Sequence, residues 1–207
     1  MSTVYVYVMD TMADWELAHV MAELNSGRFF KKDAPHIEVK TVGLTRKQIK
    51  TMGGLTITPD LTLDEVAVKK DNMLVLPGSD RWAEAENFAV IELAKEFLAK
   101  DAGVAAICGA TVALATAGIL DNRKHTSNGE GFLDMFCPNY KGTSYYVDEH
   151  AVRDDNLITA AGTGGISLAR IILDYYDVFT KETLESWYNY FSTGKAEYFF
   201  AMMQSIQ

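Results

Sequence analysis

Short β-branched apolar runs alternate with longer stretches of helical spacing, so strands and helices are expected in turn. Residues 3–9 are β-branched and aromatic and read as a buried central strand. Asp14 stands where an N-cap belongs, ahead of a helix over 15–26 that Gly27 stops. Residues 36–42 alternate polar and apolar positions, which predicts a second strand. Residues 52–60 read as a Gly-Gly turn followed by a short extended arm. A further strand at 73–76 is ended by Pro77-Gly78-Ser79, and a helix fits 83–99. A strand at 104–107 then leads into a helix at 109–117. Strands are expected at 144–147 and 157–160, with a turn at 153–156. Helices close the chain at 165–176, 184–191 and 196–203, the last two separated by Gly194.

Alternating strands and helices imply an α/β fold with a mostly parallel central sheet covered on both faces. No repeat, low-complexity tract or linker divides the chain, so one domain is expected over residues 1–207, with extra C-terminal helices from about 180. Composition adds exclusions. The formal net charge of −9, without a basic stripe, argues against nucleic acid as a partner. Two cysteines, Cys108 and Cys137, make no disulfide framework and fit a reducing, cytoplasmic setting. The start of the chain lacks the basic region and cleavage site of a signal peptide. Residues 102–120 carry no charge and are long enough to raise a membrane span. Their glycines, threonines and cysteine, without aromatic anchors, fit a strand and buried helix better.

The strongest chemical signal is Ala106-Ile107-Cys108-Gly109-Ala110, a cysteine between a buried strand and a helix, followed by small residues that permit a tight turn. This is the layout of a nucleophile elbow with sulfur in place of a serine oxygen. A helix N-terminus offers free N–H groups and positive potential, so a thiol pKa below that of free cysteine is expected. A small buried core cysteine is the structural alternative. Open parallel sheets place their sites at the carboxyl ends of the strands. That brings Asp10, the Gly78-Ser79 turn and Cys108 towards one crevice, with Glu16 in the first turn of the first helix facing it. The amides at Gly78, Ser79 and Gly109 are candidates for an oxyanion hole.

Together, Asp14-Trp15-Glu16, Met52-Gly53-Gly54, Leu76-Pro77-Gly78-Ser79, the Cys108 segment, 118–124 and Leu157-Ile158-Thr159-Ala160 resemble the ThiJ/PfpI superfamily. The resemblance covers residues 4–173. It implies the class I glutamine amidotransferase-like fold, a three-layer flavodoxin-like sandwich. It also implies Cys108 as the reactive cysteine, Glu16 as its acidic neighbour and Gly78 with Ser79 as oxyanion-side backbone. Members of the superfamily include cysteine-dependent hydrolases, cofactor-free glyoxalases, proposed deglycases, chaperones and oxidation sensors.

Two departures stand out. Many members carry a histidine directly after the nucleophile, where this chain has Gly109. Others, like the parkinsonism-associated member, use one on the following strand, where this chain has Asn128. The Cys–His dyad that ordinarily deprotonates the thiol is absent from both places. Ala161-Gly162-Thr163 occupies the region of the amidotransferase His-x-Glu, which argues against glutamine hydrolysis. His125 is the nearest alternative partner by sequence, and His19 shares a helix face with Glu16. No spacing among histidines, cysteines and carboxylates makes a metal site, and no cofactor is expected. The expected function is a cysteine-dependent enzyme acting on a small-molecule electrophile, as an amide or ester hydrolase or a glyoxalase- or deglycase-like enzyme. A redox-responsive protein that oxidises Cys108 without turnover is the alternative. A homodimer is expected from the resemblance and the aromatic-rich C-terminus. Glu16 is expected to be protonated beside the thiol, and Glu16→Gln, a weaker donor, to raise the thiol pKa.

Overall fold

The computed structural model describes residues 2–206. The elements are β1 (Ser2–Tyr7), α1 (Asp14–Ser26), β2 (Ile37–Gly43), β3 (Ile49–Lys50), β4 (Thr56–Ile57), β5 (Leu61–Thr62), β6 (Met73–Leu76), α2 (Phe88–Ala99) and β7 (Gly103–Ile107). They continue with α3 (Gly109–Thr116), α4 (Phe132–Phe136), β8 (Ala151–Asp154), β9 (Leu157–Ala160), α5 (Gly165–Tyr175), α6 (Lys181–Thr193) and α7 (Ala196–Ser205). Seven strands form one sheet in the order β5-β2-β1-β6-β7-β9-β8, parallel except for the β8–β9 pair. β3 and β4 form a separate hairpin.

Every residue of β6 and β7 is buried, as expected of strands covered on both faces. The connection β1–α1–β2 runs towards one edge of the sheet and β6–α2–β7 towards the other. Right-handed crossovers therefore place α1 and α2 on opposite faces. α5 packs against α1, and α6 extends that layer, with Trp187 wholly buried. The direction of winding reverses between β1 and β6. The crevice beyond their carboxyl ends is where such sheets bind ligands.

Three local expectations are corrected. Residues 144–147 are not a strand: Thr143–Tyr145 is a 3-10 turn, and only the His125–Tyr146 bridge gives the segment sheet character. The edge strand is β8, paired antiparallel with β9 across a turn in which Asp155 has φ 57°. The helix expected from residue 83 begins at Phe88. Before it, Asn87 accepts from the Tyr7 hydroxyl at 2.7 Å and donates to the Arg81 carbonyl at 2.7 Å, which holds the segment in turns. Asp14 is the first helical residue and not the cap. Its carboxylate instead accepts from Thr51 Oγ1 at 2.6 Å and Gly53 N at 2.5 Å, fastening the Gly-Gly turn beside the crevice. Those bonds hold the Asp14 carboxyl below its usual range, the Thr51 bond contributing most. A carboxylate depressed in the folded state stabilises above its unfolded pKa, and that contribution is lost as pH falls through the folded value. Asp14→Ala is therefore expected to lower the melting temperature at pH 7 by a few degrees and to lose that difference towards pH 2. Thermal scans at several pH values check this.

Candidate active site

β7 is hydrogen-bonded on both sides, so the chain must turn abruptly where the strand ends. It does so at Cys108, which takes φ 57° and ψ −124°, a conformation side-chain-bearing residues rarely adopt. Such strain costs on the order of 1–3 kcal/mol and persists only where the surroundings over-determine it. Here they do. Cys108 N donates to Ala160 O at 3.0 Å, and Cys108 O accepts from Thr111 N at 3.0 Å and Thr111 Oγ1 at 2.6 Å. Thr111 is tied in turn to Ser127 through their hydroxyls at 2.6 Å.

The half-buried sulfur lies on a pocket of about 350 Å³ whose wall includes Trp15, Glu16, Met52, Gly78, Trp82 and Asn128. Asn128 Nδ2 donates to Cys108 Sγ at 3.3 Å, while its Oδ1 accepts from Gly162 N at 2.8 Å. The amide is thereby oriented with its donor towards sulfur. Asn128 thus occupies the place beside the thiol where the family resemblance puts a histidine.

Glu16 is 1 % exposed and reaches the site from the first turn of α1. Its Oε2 accepts from Gly78 N at 2.6 Å. Among the described residues its Oε1 is buried without a hydrogen-bond partner, and the carboxyl neighbours the Cys108 thiol. Burial pushes the Glu16 carboxyl up, against the opposing pull of Gly78 N–H and the thiol. A proton on the carboxyl would give it a donor towards the neighbouring thiol. At the thiol, burial adds an effect opposed to the lowered pKa expected from the sequence. Burial pushes Cys108 above its ordinary value and an ionised Glu16 adds to this, while the Asn128 amide and Gly109 N–H pull the other way. Removal from water thus works against the help that a helix terminus gives a thiolate.

The oxyanion candidates divide. Gly78 N–H is taken by Glu16, so it is not available to a substrate oxygen. Among the described residues no protein group accepts from Ser79 N–H, and both Ser79 and Gly109 line the pocket. Gly78 must be glycine for another reason: a Cβ there would stand 2.6 Å from Glu16 Oε1 and 2.8 Å from Cys108 Cβ. At Gly109 a Cβ would meet Ser79 O at 2.9 Å, which explains why this elbow has no room for a histidine after the cysteine. Gly78→Ala is expected to cost about 1–3 kcal/mol through overpacking and to lower the melting temperature by roughly 2–4 °C for each of these. Calorimetry checks this.

The remaining candidates fall outside the thiol's reach. His125 is buried, its Nδ1 bonded to Arg123 O and its Nε2 to Tyr140 Oη, each at 2.6 Å, so neither nitrogen is free to take the thiol's proton. The His125–Tyr146 bridge sets this orientation, and the imidazole packs edge-on against Tyr140 and Tyr146. Asp10 binds Lys50 N at 2.7 Å and Arg81 at 3.0 Å, and its carbonyl accepts from Ser79 Oγ at 2.9 Å. It positions the Ser79 turn and does not face the sulfur pocket. His19 packs against Trp187 and Phe191 instead. Sequence reasoning missed Trp15, whose indole donates to Gly162 O at 3.3 Å, and the Phe132–Phe136 pair of α4. Their signals were Trp15's place beside Glu16 and the i, i+4 spacing of two aromatics in a short helix. Among the described residues no cluster of histidine, cysteine and carboxylate groups could hold a metal ion. Nor is any described helix long and apolar enough to cross a membrane.

A mostly parallel α/β sheet with a strained cysteine elbow at its carboxyl edge, and a buried acid from the first helix beside it, defines the class. The chain belongs to the DJ-1/PfpI family, whose family model matches residues 2–174. It is 45% identical over 203 residues to the Bacillus subtilis (strain 168) protein named "Uncharacterized protease YoaZ", covering 98% of this chain and 97% of that one. It is 27% identical over 130 residues to "Deglycase PfpI" of Pyrococcus furiosus, covering 62% of this chain and 76% of the relative. Among solved structures, the thiJ/pfpI family protein from Bacillus anthracis superposes with a TM-score of 0.96 at 47% identity, covering 100% of this chain and 98% of that one.

Proposed function

We propose that this chain is a cysteine-dependent enzyme that adds Cys108 to the carbonyl of a small electrophile: an amide, an ester or an α-oxoaldehyde. The observation that carries the reading is the strained elbow at Cys108, beside the buried Glu16 carboxyl whose Oε1 has no partner among the described residues. Strain of this kind is maintained against a cost, and a buried acid with a free oxygen is suited to moving a proton. The protease and deglycase names of two relatives agree with a carbonyl substrate.

In the ester or amide case, the Cys108 thiolate, its proton already lost to solvent, forms an S–C bond as the C=O π pair moves onto oxygen, near the Ser79 and Gly109 amides. The tetrahedral adduct collapses, the C–O or C–N bond breaks, and the leaving group takes its proton from Glu16. Water then attacks the thioester as the Glu16 carboxylate takes one of its protons, the S–C bond breaks, and the carboxylic acid, the Cys108 thiolate and protonated Glu16 result. With an α-oxoaldehyde the same addition gives a hemithioacetal, the alkoxide taking the proton.

Turnover of methylglyoxal and of chromogenic esters and amides tests this, with Cys108→Ala expected to abolish it. A second reading is favoured by Asn128, which donates to sulfur and cannot take a proton from it. In that reading peroxide oxidises Cys108 to a sulfinate without turnover, its oxygens accepting from Asn128 and protonated Glu16. No turnover on any substrate, with stoichiometric loss of the thiol to peroxide, would replace the first reading by the second.

The free thiols support a reducing, cytoplasmic location. The reading includes a homodimer, supported by exposed Phe200 and Met203 on α7. Light scattering is expected to return twice 23.0 kDa, and a monomer mass at micromolar concentration would sink this.

A further inference from the structure

The pocket over Cys108 does not end at its own walls. Trp82, Ala83, Val112 and Phe136 also line a neighbouring groove of about 450 Å³. The groove runs between α2 and α3, with Ile91 on one side and Ala113 and Ala117 on the other. At its mouth Phe88 and Phe136 are 59 % and 54 % exposed. The polar groups along it already have partners. Thr116 Oγ1 donates to Val112 O at 2.8 Å, and Lys95 is paired with Glu92 at 2.7 Å. A polar ligand would find few partners there, whereas an alkyl or aryl group would remove apolar surface from water on both sides. The volume is that of a small-molecule site, about 300–1,000 Å³, and the shared walls connect it to the reacting sulfur.

We infer that this groove seats an apolar arm of the electrophile that Cys108 attacks. The substrate class is then a carbonyl compound carrying an alkyl chain or aryl ring, in preference to a bare small aldehyde. The inference rests on the enzymatic reading of Cys108 and adds what that reading leaves open.

The test is alkylation of the full-length protein by N-methyl-, N-butyl- and N-octyl-iodoacetamide, with the modified residue located by peptide mapping. Each reagent forms an S–C bond, breaks the C–I bond and releases iodide, the thiol proton passing to buffer. Full burial of a methylene is worth about 0.8 kcal/mol, or roughly a four-fold change in rate. The Cys108 rate constant is therefore expected to rise at least about ten-fold from methyl to butyl, and further to octyl. Ala113→Trp, which fills the groove, is expected to flatten the series and leave the methyl reagent unchanged. Ala117→Phe serves the same purpose if the first variant fails to fold by circular dichroism.

Equal rates for the three reagents in wild type would overturn the inference, as they would if a second copy of the chain covered the groove. So would chain-length dependence that survives in both folded variants. Alkylation needs no turnover, so the two readings can fail separately. Ester hydrolysis with no chain-length preference would remove the groove alone. A chain-length preference without turnover of any ester, amide or α-oxoaldehyde would remove the enzymatic reading and leave the groove as an apolar ligand seat.

Discussion

Asn128→His is expected to raise ester hydrolysis by about ten-fold, and Asn128→Asp to lower Cys108 alkylation at pH 7 by at least about ten-fold. Both follow from an amide held in one orientation, with Oδ1 on Gly162 N–H and Nδ2 on Sγ. A general base at this point is typically worth roughly 10²–10⁴-fold. An imidazole facing sulfur with its unprotonated nitrogen must carry its proton on the other, which then confronts the Gly162 N–H and not an acceptor. The productive tautomer lacks support, so the gain falls at or below the lower end. Aspartate keeps the acceptor for Gly162 but replaces the donor to sulfur by a negative oxygen. A hydrogen bond to a charged group is worth about 1.5–3 kcal/mol, and losing it slows thiolate formation by ten-fold or more. The measurements are initial hydrolysis rates and iodoacetamide kinetics on folded variants. No gain for His together with no loss for Asp would show that residue 128 does not govern the thiol.

The nucleophile and its acid were legible because each is announced by local sequence. A charge-free β-branched run that meets Cys-Gly-Ala and then a helix leaves little room for anything but an elbow, and Glu16 sits in the first turn of the neighbouring helix. Asn128 was legible only through resemblance, since nothing within residues 125–128 says which side chain will turn towards the sulfur. That choice is made by the Tyr146 bridge and by the Gly162 amide, both distant in sequence. The edge strand β8 was hidden for a similar reason. Ala151–Asp154 has little apolar alternation, and its strand character comes from pairing with β9. Gly78 looked like an oxyanion donor because a strand-ending turn exposes its amide. That the amide is used up by Glu16 is a tertiary fact. Burial of the thiol is equally tertiary, and it opposes the helix-terminus effect that the sequence displays. The groove between α2 and α3 had no signature at all, because each helix contributes residues that read singly as ordinary surface or core.

Glu16→Gln is expected to reduce ester turnover by about 10²-fold or more while changing Cys108 alkylation at neutral pH by less than about ten-fold. Glutamine retains the acceptor for Gly78 N–H and places an amide donor near the sulfur, so the pocket and the nucleophile survive. What it cannot do is release a proton to a leaving group, a role worth roughly 10²–10⁴-fold. The pH profile of alkylation gives an independent reading. In the wild type two neighbouring groups titrate as a coupled pair, so the profile should show two steps that belong to the pair. Burial and an ionised Glu16 push the thiol up, which places the upper step where both groups have lost their protons. The glutamine side chain carries no charge, so the variant should show one step, lying below the upper step of the wild type. The repulsion lost with the carboxylate acts against the upward shift expected from the weaker donor alone. Turnover unchanged in Glu16→Gln would remove the carboxyl from proton transfer. A single-step wild-type profile, identical in the variant, would remove the coupling between acid and thiol on which the proposed chemistry depends.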